Sequence, residues 1–398
     1  MPAPLLFAKV SAHMRFLPIL LFVANFCWAT SPELTPEIQA RLALLNSGQL
    51  IEAYHSLKAL ESTHSESKEF LFLLAMAKCK MMWLSTFNAS DRQEVIELLD
   101  KVDAMCLPVM EQDLNSQFYH ASAIGLRAQI AATEGDWWKT AKLGKKMKGH
   151  AVKIVEKDRE FYPVYYLLGS YNYFADALPS YMKFLRVLVF LPGGDRKEGL
   201  KQLILAYEKG GISQGEAGKT LAVIYTYYEK KFEDGKRMCE DLLVRYPQCY
   251  DVGLYKGINL YFLKDYEASV SWFEDLRARI QIYSAIHKSP DSIIPLYRPM
   301  EREIRYWIAR GKIQQEKWEE ARELLMELAE PPVHQPYWLL RGVYLSLAQI
   351  DYHDKNPLRA ESWIAKVLKW EDVKDSREKA KKLKKKKGNV GTFDIDLL

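Results

Sequence analysis

Residues 211–215 read Gly211-Ile212-Ser213-Gln214-Gly215, the G-x-S-x-G spacing that can lift a serine nucleophile onto a sharp turn. That chemistry needs a buried strand running straight into the serine. The preceding LKQLILAYEKG has helical spacing instead, so a helix–helix turn is expected and a serine hydrolase at Ser213 is a remote alternative. The overlapping SQGEAGKT approaches the phosphate-cradling G-x-x-x-x-G-K-[ST] string. Ser213 replaces its first glycine, and Gly218, Lys219 and Thr220 fall inside a helix required for packing. Histidines 55, 64, 120, 150, 287, 334 and 353 are scattered, with no H-E-x-x-H to hold zinc. Acid pairs such as Glu319-Glu320 and Glu301/Glu303 sit on polar helical faces and read as solvated charge. No cofactor, metal or catalytic residue is expected.

The cysteines and the leader bear on compartment. Arg15 precedes an apolar run, Phe16 to Ala29, with Cys27 and Ala29 at the −3 and −1 positions of a signal-peptidase site before Thr30. Fourteen helical residues reach roughly 21 Å, too short to cross a bilayer comfortably. Export is therefore expected, to the periplasm or in association with the outer membrane. Phe26 in front of Cys27 argues against a lipidation site. Met14-Arg15 makes a more natural leader start than Met1. Cys79, Cys106, Cys239 and Cys249 remain in the mature chain without a C-x-x-C, and buried thiols are the expected reading.

The elements that must position any site are helices. Beyond residue 30, apolar residues recur at i, i+3, i+4 and i+7 almost throughout, and nothing alternates with period two for long. Helices come in pairs. AGKTLAVIYTYYEKKFEDGKRMCEDLLVRYP (217–247) places Leu221, Ala222 and Tyr225 on one helix and Phe232, Gly235 and Leu242 on the next. The following unit repeats the theme with Gly257, Tyr266, Ser269 and Phe273. Phe232 to Tyr266 and Gly235 to Ser269 are both 34 residues. Residues 37–60, 303–328 and 337–368 fit as well, while 69–104 and 116–155 are helical but drift.

This period, with its small and aromatic positions, resembles the tetratricopeptide repeat. The string LGSYNYF…ALP followed by GGDRKEGLKQL resembles a bacterial exported subfamily, distantly similar to the inclusion-body-clearance family of the mitochondrial outer membrane. The resemblance implies an all-α, right-handed solenoid of helix pairs and brings no catalytic residue with it. Gly or Ala at 222, 257, 309 and 342 would let paired helices approach, and aromatics at 232, 266 and 318 would fill the wedges between pairs. The expected organisation is a leader (1–29), N-terminal repeats (30–160), a Tyr-rich pair with an inserted apolar helix (161–210), C-terminal repeats (211–371) and a basic capping helix and tail (372–398).

Aromatics crowd the Tyr-rich pair: Phe161, Tyr162, Tyr165, Tyr166, Tyr171, Tyr173, Phe174, Tyr181 and Phe184. Most are expected in the core. Repeat register places Tyr166, Tyr173, Lys219, Tyr261, Tyr306 and Arg310 on a concave face suited to a protein or peptide partner. The formal charge is +5, but eight Lys/Arg against one Glu at 377–387 and Lys9 with Arg15 in the leader leave about −4 for the body. Nucleic acid is accordingly not an expected partner. The apolar string 182–192 and the basic tail support an alternative reading as a membrane-associated envelope assembly or clearance factor.

The expected function is a non-enzymatic, protein-binding scaffold of the cell envelope. N-terminal sequencing of the secreted chain should begin at Thr30; recovery of a mature chain beginning at Met1 or Met14 would remove the export reading.

Overall fold

The computed structural model describes residues 34–84, 89–177, 193–286, 298–330, 337–369 and 376–386. The leader, the apolar string 182–192 with Tyr181 and Phe184, and the end of the tail lie outside them. The described residues all fall within one compact unit. Among the described residues there are seventeen α-helices and no strand. In chain order they are α1 (Pro36–Asn46), α2 (Leu50–Leu60), α3 (Lys68–Leu84), α4 (Ala89–Cys106), α5 (Leu114–Thr133) and α6 (Trp137–Lys157). Next come α7 (Val164–Ala177), α8 (Arg196–Lys209), α9 (Gln214–Val223), α10 (Phe232–Arg245), α11 (Tyr250–Phe262) and α12 (Tyr266–Ile286). The last are α13 (Arg298–Gln314), α14 (Trp318–Ala329), α15 (Tyr337–His353), α16 (Pro357–Leu368) and α17 (Ser376–Lys385).

Local chemistry sets the boundaries. Thr35 caps α1 by accepting from the Ile38 N–H, with Pro36 in the first turn. Asp113 and Asp136 cap α5 and α6 in the same way. Asp195 accepts from the Glu198 N–H at 2.9 Å, the cap that its position three residues upstream predicts. The all-helical expectation therefore holds, with the described helices falling into eight pairs and a final helix.

Each helix packs on its neighbours in sequence. In addition, every odd-numbered helix touches the next odd-numbered one, from α1·α3 through α15·α17. Successive even-numbered helices do not approach so closely among the described residues and are joined through long side chains, as where Tyr54 of α2 donates to Glu94 of α4 at 3.1 Å and Tyr207 of α8 to Asp241 of α10. The two ranks differ in composition as this packing demands. Odd helices such as α5, α11 and α15 are buried around most of their circumference. Even helices such as α6, α10, α14 and α16 are amphipathic, burying one stripe and wetting the other.

Close approach within pairs rests on small residues. On α8, a Cβ at Gly199 would lie 2.5 Å from the Tyr173 backbone nitrogen of α7. Gly169 faces back from α7, where a Cβ would sit 2.8 Å from the Leu203 nitrogen. Two aromatics that start even helices stack on the next odd helix, Phe232 on Phe262 (4.7 Å) and Trp318 on His353 (4.0 Å), while Tyr266 meets Tyr261 of the preceding helix edge-on at 5.4 Å. The C-terminal α17 packs on α15 and α16 through buried Ala380 and Leu383. All four described cysteines are free and buried, and burial pushes the Cys79 thiol up to about 12.

Gly199→Ala tests the backbone contact by its sign. In an open helix the change gains about 1 kcal/mol. Here neither backbone can yield, and a loss of about 1–3 kcal/mol is expected in a denaturant titration. A stabilised variant would show that α7 and α8 are not held at that distance.

Candidate functional site

The chain does not run away from its beginning. The α1–α2 turn, held at φ +76° by Gly48, sits where a Cβ would be 2.8 Å from the Gln248 carbonyl at the α10–α11 turn. At the start of α9, Gly215 leaves room for the Asn46 amide, whose Oδ1 would lie 2.3 Å from a Cβ at that position. Farther along, the Tyr283 hydroxyl of α12 donates to the Glu52 carboxylate of α2.

This closure brings polar residues from five odd helices together. Lys80 on α3 contacts both oxygens of Glu216 on α9, at 3.0 and 3.1 Å. Lys219, one turn along α9, pairs with the same carboxylate and reaches Asn46 Oδ1 at 3.5 Å. These side chains keep between 12% and 19% of their surface, so water reaches them inside a protein surround. Burial alone would raise the Glu216 carboxyl, but the Lys219 and Lys80 ammoniums beside it hold it down, to about 2. Burial works against the Lys219 ammonium, yet Glu216 keeps it raised. Asp251 on α11 is raised by burial, partly offset by the same two lysines. The Tyr166 hydroxyl on α7 is pushed up to about 12, first by burial and then by Glu216, while its bond to Thr220 opposes the shift. Tyr255 on α11 meets Tyr227 edge-on at 5.7 Å, completing a polar and aromatic lining.

Of the six residues that register placed on one concave face, Tyr166 and Lys219 come together here, both half-buried. The other four lie in the interior. The Tyr173 hydroxyl donates to Glu229 at 2.9 Å beneath the Arg196 guanidinium. Arg310, 1% exposed, donates to the Tyr261 hydroxyl at 3.0 Å and to Gln349 Oε1 at 3.2 Å, linking α11, α13 and α15. Tyr306 is 1% exposed in the same core. The physical reason is the tight odd-to-odd stacking, which turns inward-facing register positions into helix–helix contacts.

Sequence reasoning passed over Lys80, Glu216, Asp251 and Asn46. A signal existed for Lys80, which with Lys78 interrupts the apolar run of α3. The others needed the closure of α1 onto α9, which no local pattern encodes. Ser213 sits buried in a single 3-10 turn, Gly211–Ser213, entered from α8. The G-x-S-x-G string is therefore a helix–helix junction, and Gly218, Lys219 and Thr220 lie within α9. Among the described residues no group of His, Cys, Asp and Glu side chains is arranged to hold a metal ion, and no helix is long and apolar enough to cross a membrane.

The arrangement can hold a charged or polar segment against fixed ammonium, carboxylate and phenol groups. It also has a stability signature. Glu216 is depressed in the folded state, so its contribution is complete above its ordinary value of 4.5 and disappears as pH falls toward 2. Glu216→Gln should cost about 3 kcal/mol at pH 7, the low end for a broken buried pair because water reaches it. The cost should shrink steadily between pH 4.5 and 2 in parallel denaturant titrations; a pH-independent cost would remove the ion-pair account.

No family model matches the chain, and no curated protein matches it.

Proposed function

We propose that the protein is a non-enzymatic scaffold that holds a protein or peptide partner along the inner rank of a right-handed solenoid of tetratricopeptide-like helix pairs, in the cell envelope. The observation that carries this reading is the asymmetry between ranks. Helices that approach closely at n and n+2 on one side, and reach each other only through long side chains on the other, belong to a stack curved toward the close side. The inner rank then presents Lys80, Tyr166, Glu216, Lys219, Asp251 and Tyr255, one or two from each of α3, α7, α9 and α11. Tyr173, Tyr261, Tyr306 and Arg310 serve as supports between helices rather than as contact residues.

The lining suits an extended segment of mixed charge. Fixed tyrosines supply contact area at low entropic cost, and the ammonium–carboxylate array selects register through charge complementarity. Export, read from the leader, would place the partner in the envelope.

A photoreactive phenylalanine at position 166 or 255, compared with one at Val244 on the outer face (81% exposed), separates the outcomes in envelope extracts. The same partner should be captured from both inner positions and lost with Lys219→Glu, and Val244 should capture nothing specific. Equal capture from Val244, or none from the inner positions, would end the inner-rank reading.

A further inference from the structure

Helix α6 departs from the rest of the surface. Its sequence, WWKTAKLGKKMKGHAVKIVEK, carries seven lysines and one glutamate. Met147, Ala151 and Ile154 bury its apolar stripe, and its packing neighbours are α5 and α7. On the solvent side, Lys139, Lys142, Lys146 and Lys153 recur at spacings that keep them on one stripe, about 21 Å long at 1.5 Å per residue. All four are exposed, and none of these ammoniums has an ion pair or hydrogen bond among the described residues. Lysines on other helices are treated differently: Lys58, Lys68, Lys78, Lys80 and Lys312 are each tied to carboxylates. Gly149 falls in the same stripe, and a Cβ there would meet nothing within 4 Å, so the face is open.

At the N-terminal end of the stripe stand Trp137 and Trp138, 56% and 66% exposed. Two adjacent indoles left in water beside unpaired cations gain nothing from this fold. The mildly acidic body charge read from the sequence conceals this basic face, because acids elsewhere cancel it in the sum.

We propose that this face of α6 docks on an anionic lipid surface, the Trp pair entering the headgroup region and the lysine stripe facing the phosphates. The chemistry favours lipid over a single acidic ligand. Indoles settle at membrane–water interfaces, and basic helix faces are drawn to anionic lipid. The cations are all lysine, a point charge suited to a diffuse field, and α6 has no arginine for forked recognition of one phosphate. Because the apolar stripe is already spent on α5 and α7, docking is by the wet face and leaves the fold unchanged.

The test is flotation of the chain from Thr30 with vesicles of phosphatidylcholine alone or mixed with phosphatidylglycerol. Binding is expected only to the mixed vesicles, with a blue-shifted tryptophan emission and a steep loss as salt is added. At about five-fold per lysine near such a surface, replacing the four stripe lysines by glutamine should weaken binding by several hundred-fold. These positions are exposed, so the melting temperature should not move. Trp137→Ala/Trp138→Ala should abolish the blue shift. Unchanged binding by the lysine variant, or equal binding to phosphatidylcholine alone, overturns the proposal. So does loss of binding only on Leu188→Asp/Phe190→Asp, which would assign lipid contact to 182–192. Tighter binding to a single-stranded oligonucleotide or a polyglutamate peptide than to the mixed vesicles would overturn the choice of lipid.

Discussion

Close stacking of each odd-numbered helix on the next is the constraint from which the other features follow. A helix that meets neighbours before it, after it and two along must be apolar around most of its surface, as α5, α11 and α15 are. Even-numbered helices pack closely only on their sequence neighbours, reach other helices through long side chains, and can keep a wet face. Polar groups caught in the inner rank have to find partners there, because an unmet donor in that setting costs about 1–3 kcal/mol. The line from Tyr261 through Arg310 to Gln349 meets this demand across three successive odd helices.

The same constraint explains why charge survives inside. Once α1 and α2 dock against the α9 to α12 region, Lys80 and Glu216 are brought together from positions 136 residues apart. Desolvation disfavours the charges on Glu216 and Lys219, yet Glu216 is held ionised by Lys219 and Lys80, and Lys219 by Glu216. An array of this kind does not by itself add much stability over an apolar one. Its effect is to fix which helix faces which, and to leave a polar lining where an apolar core would have sealed the interior.

Charge on the outside follows a different rule. Most surface cations are neutralised locally, as Arg305 is by Glu301 and Glu327. On α6 the lysines outnumber the acids and stand apart from them, so their field extends into solvent over a Debye length of about 8–10 Å. A net charge for the whole body cannot register such a separation. Placement of charge on a surface is a property of the fold, and composition averages over it.

How much was legible in the residues divides along the same line. The all-helical class, the pairing, the Asp195 cap and the wedge aromatics Phe232 and Trp318 were fixed by the sequence itself, because each depends on groups within about one repeat of each other. The burial of Cys79, Cys106, Cys239 and Cys249 followed from their place in apolar stripes. Tertiary structure alone decided that Tyr173, Tyr261, Tyr306 and Arg310 face other helices, since register gives the direction of a side chain and not what stands opposite it. It alone decided that Asn46, Lys80, Glu216, Lys219 and Asp251 meet. Those contacts depend on how tightly successive pairs turn, an accumulated angle that no single repeat encodes.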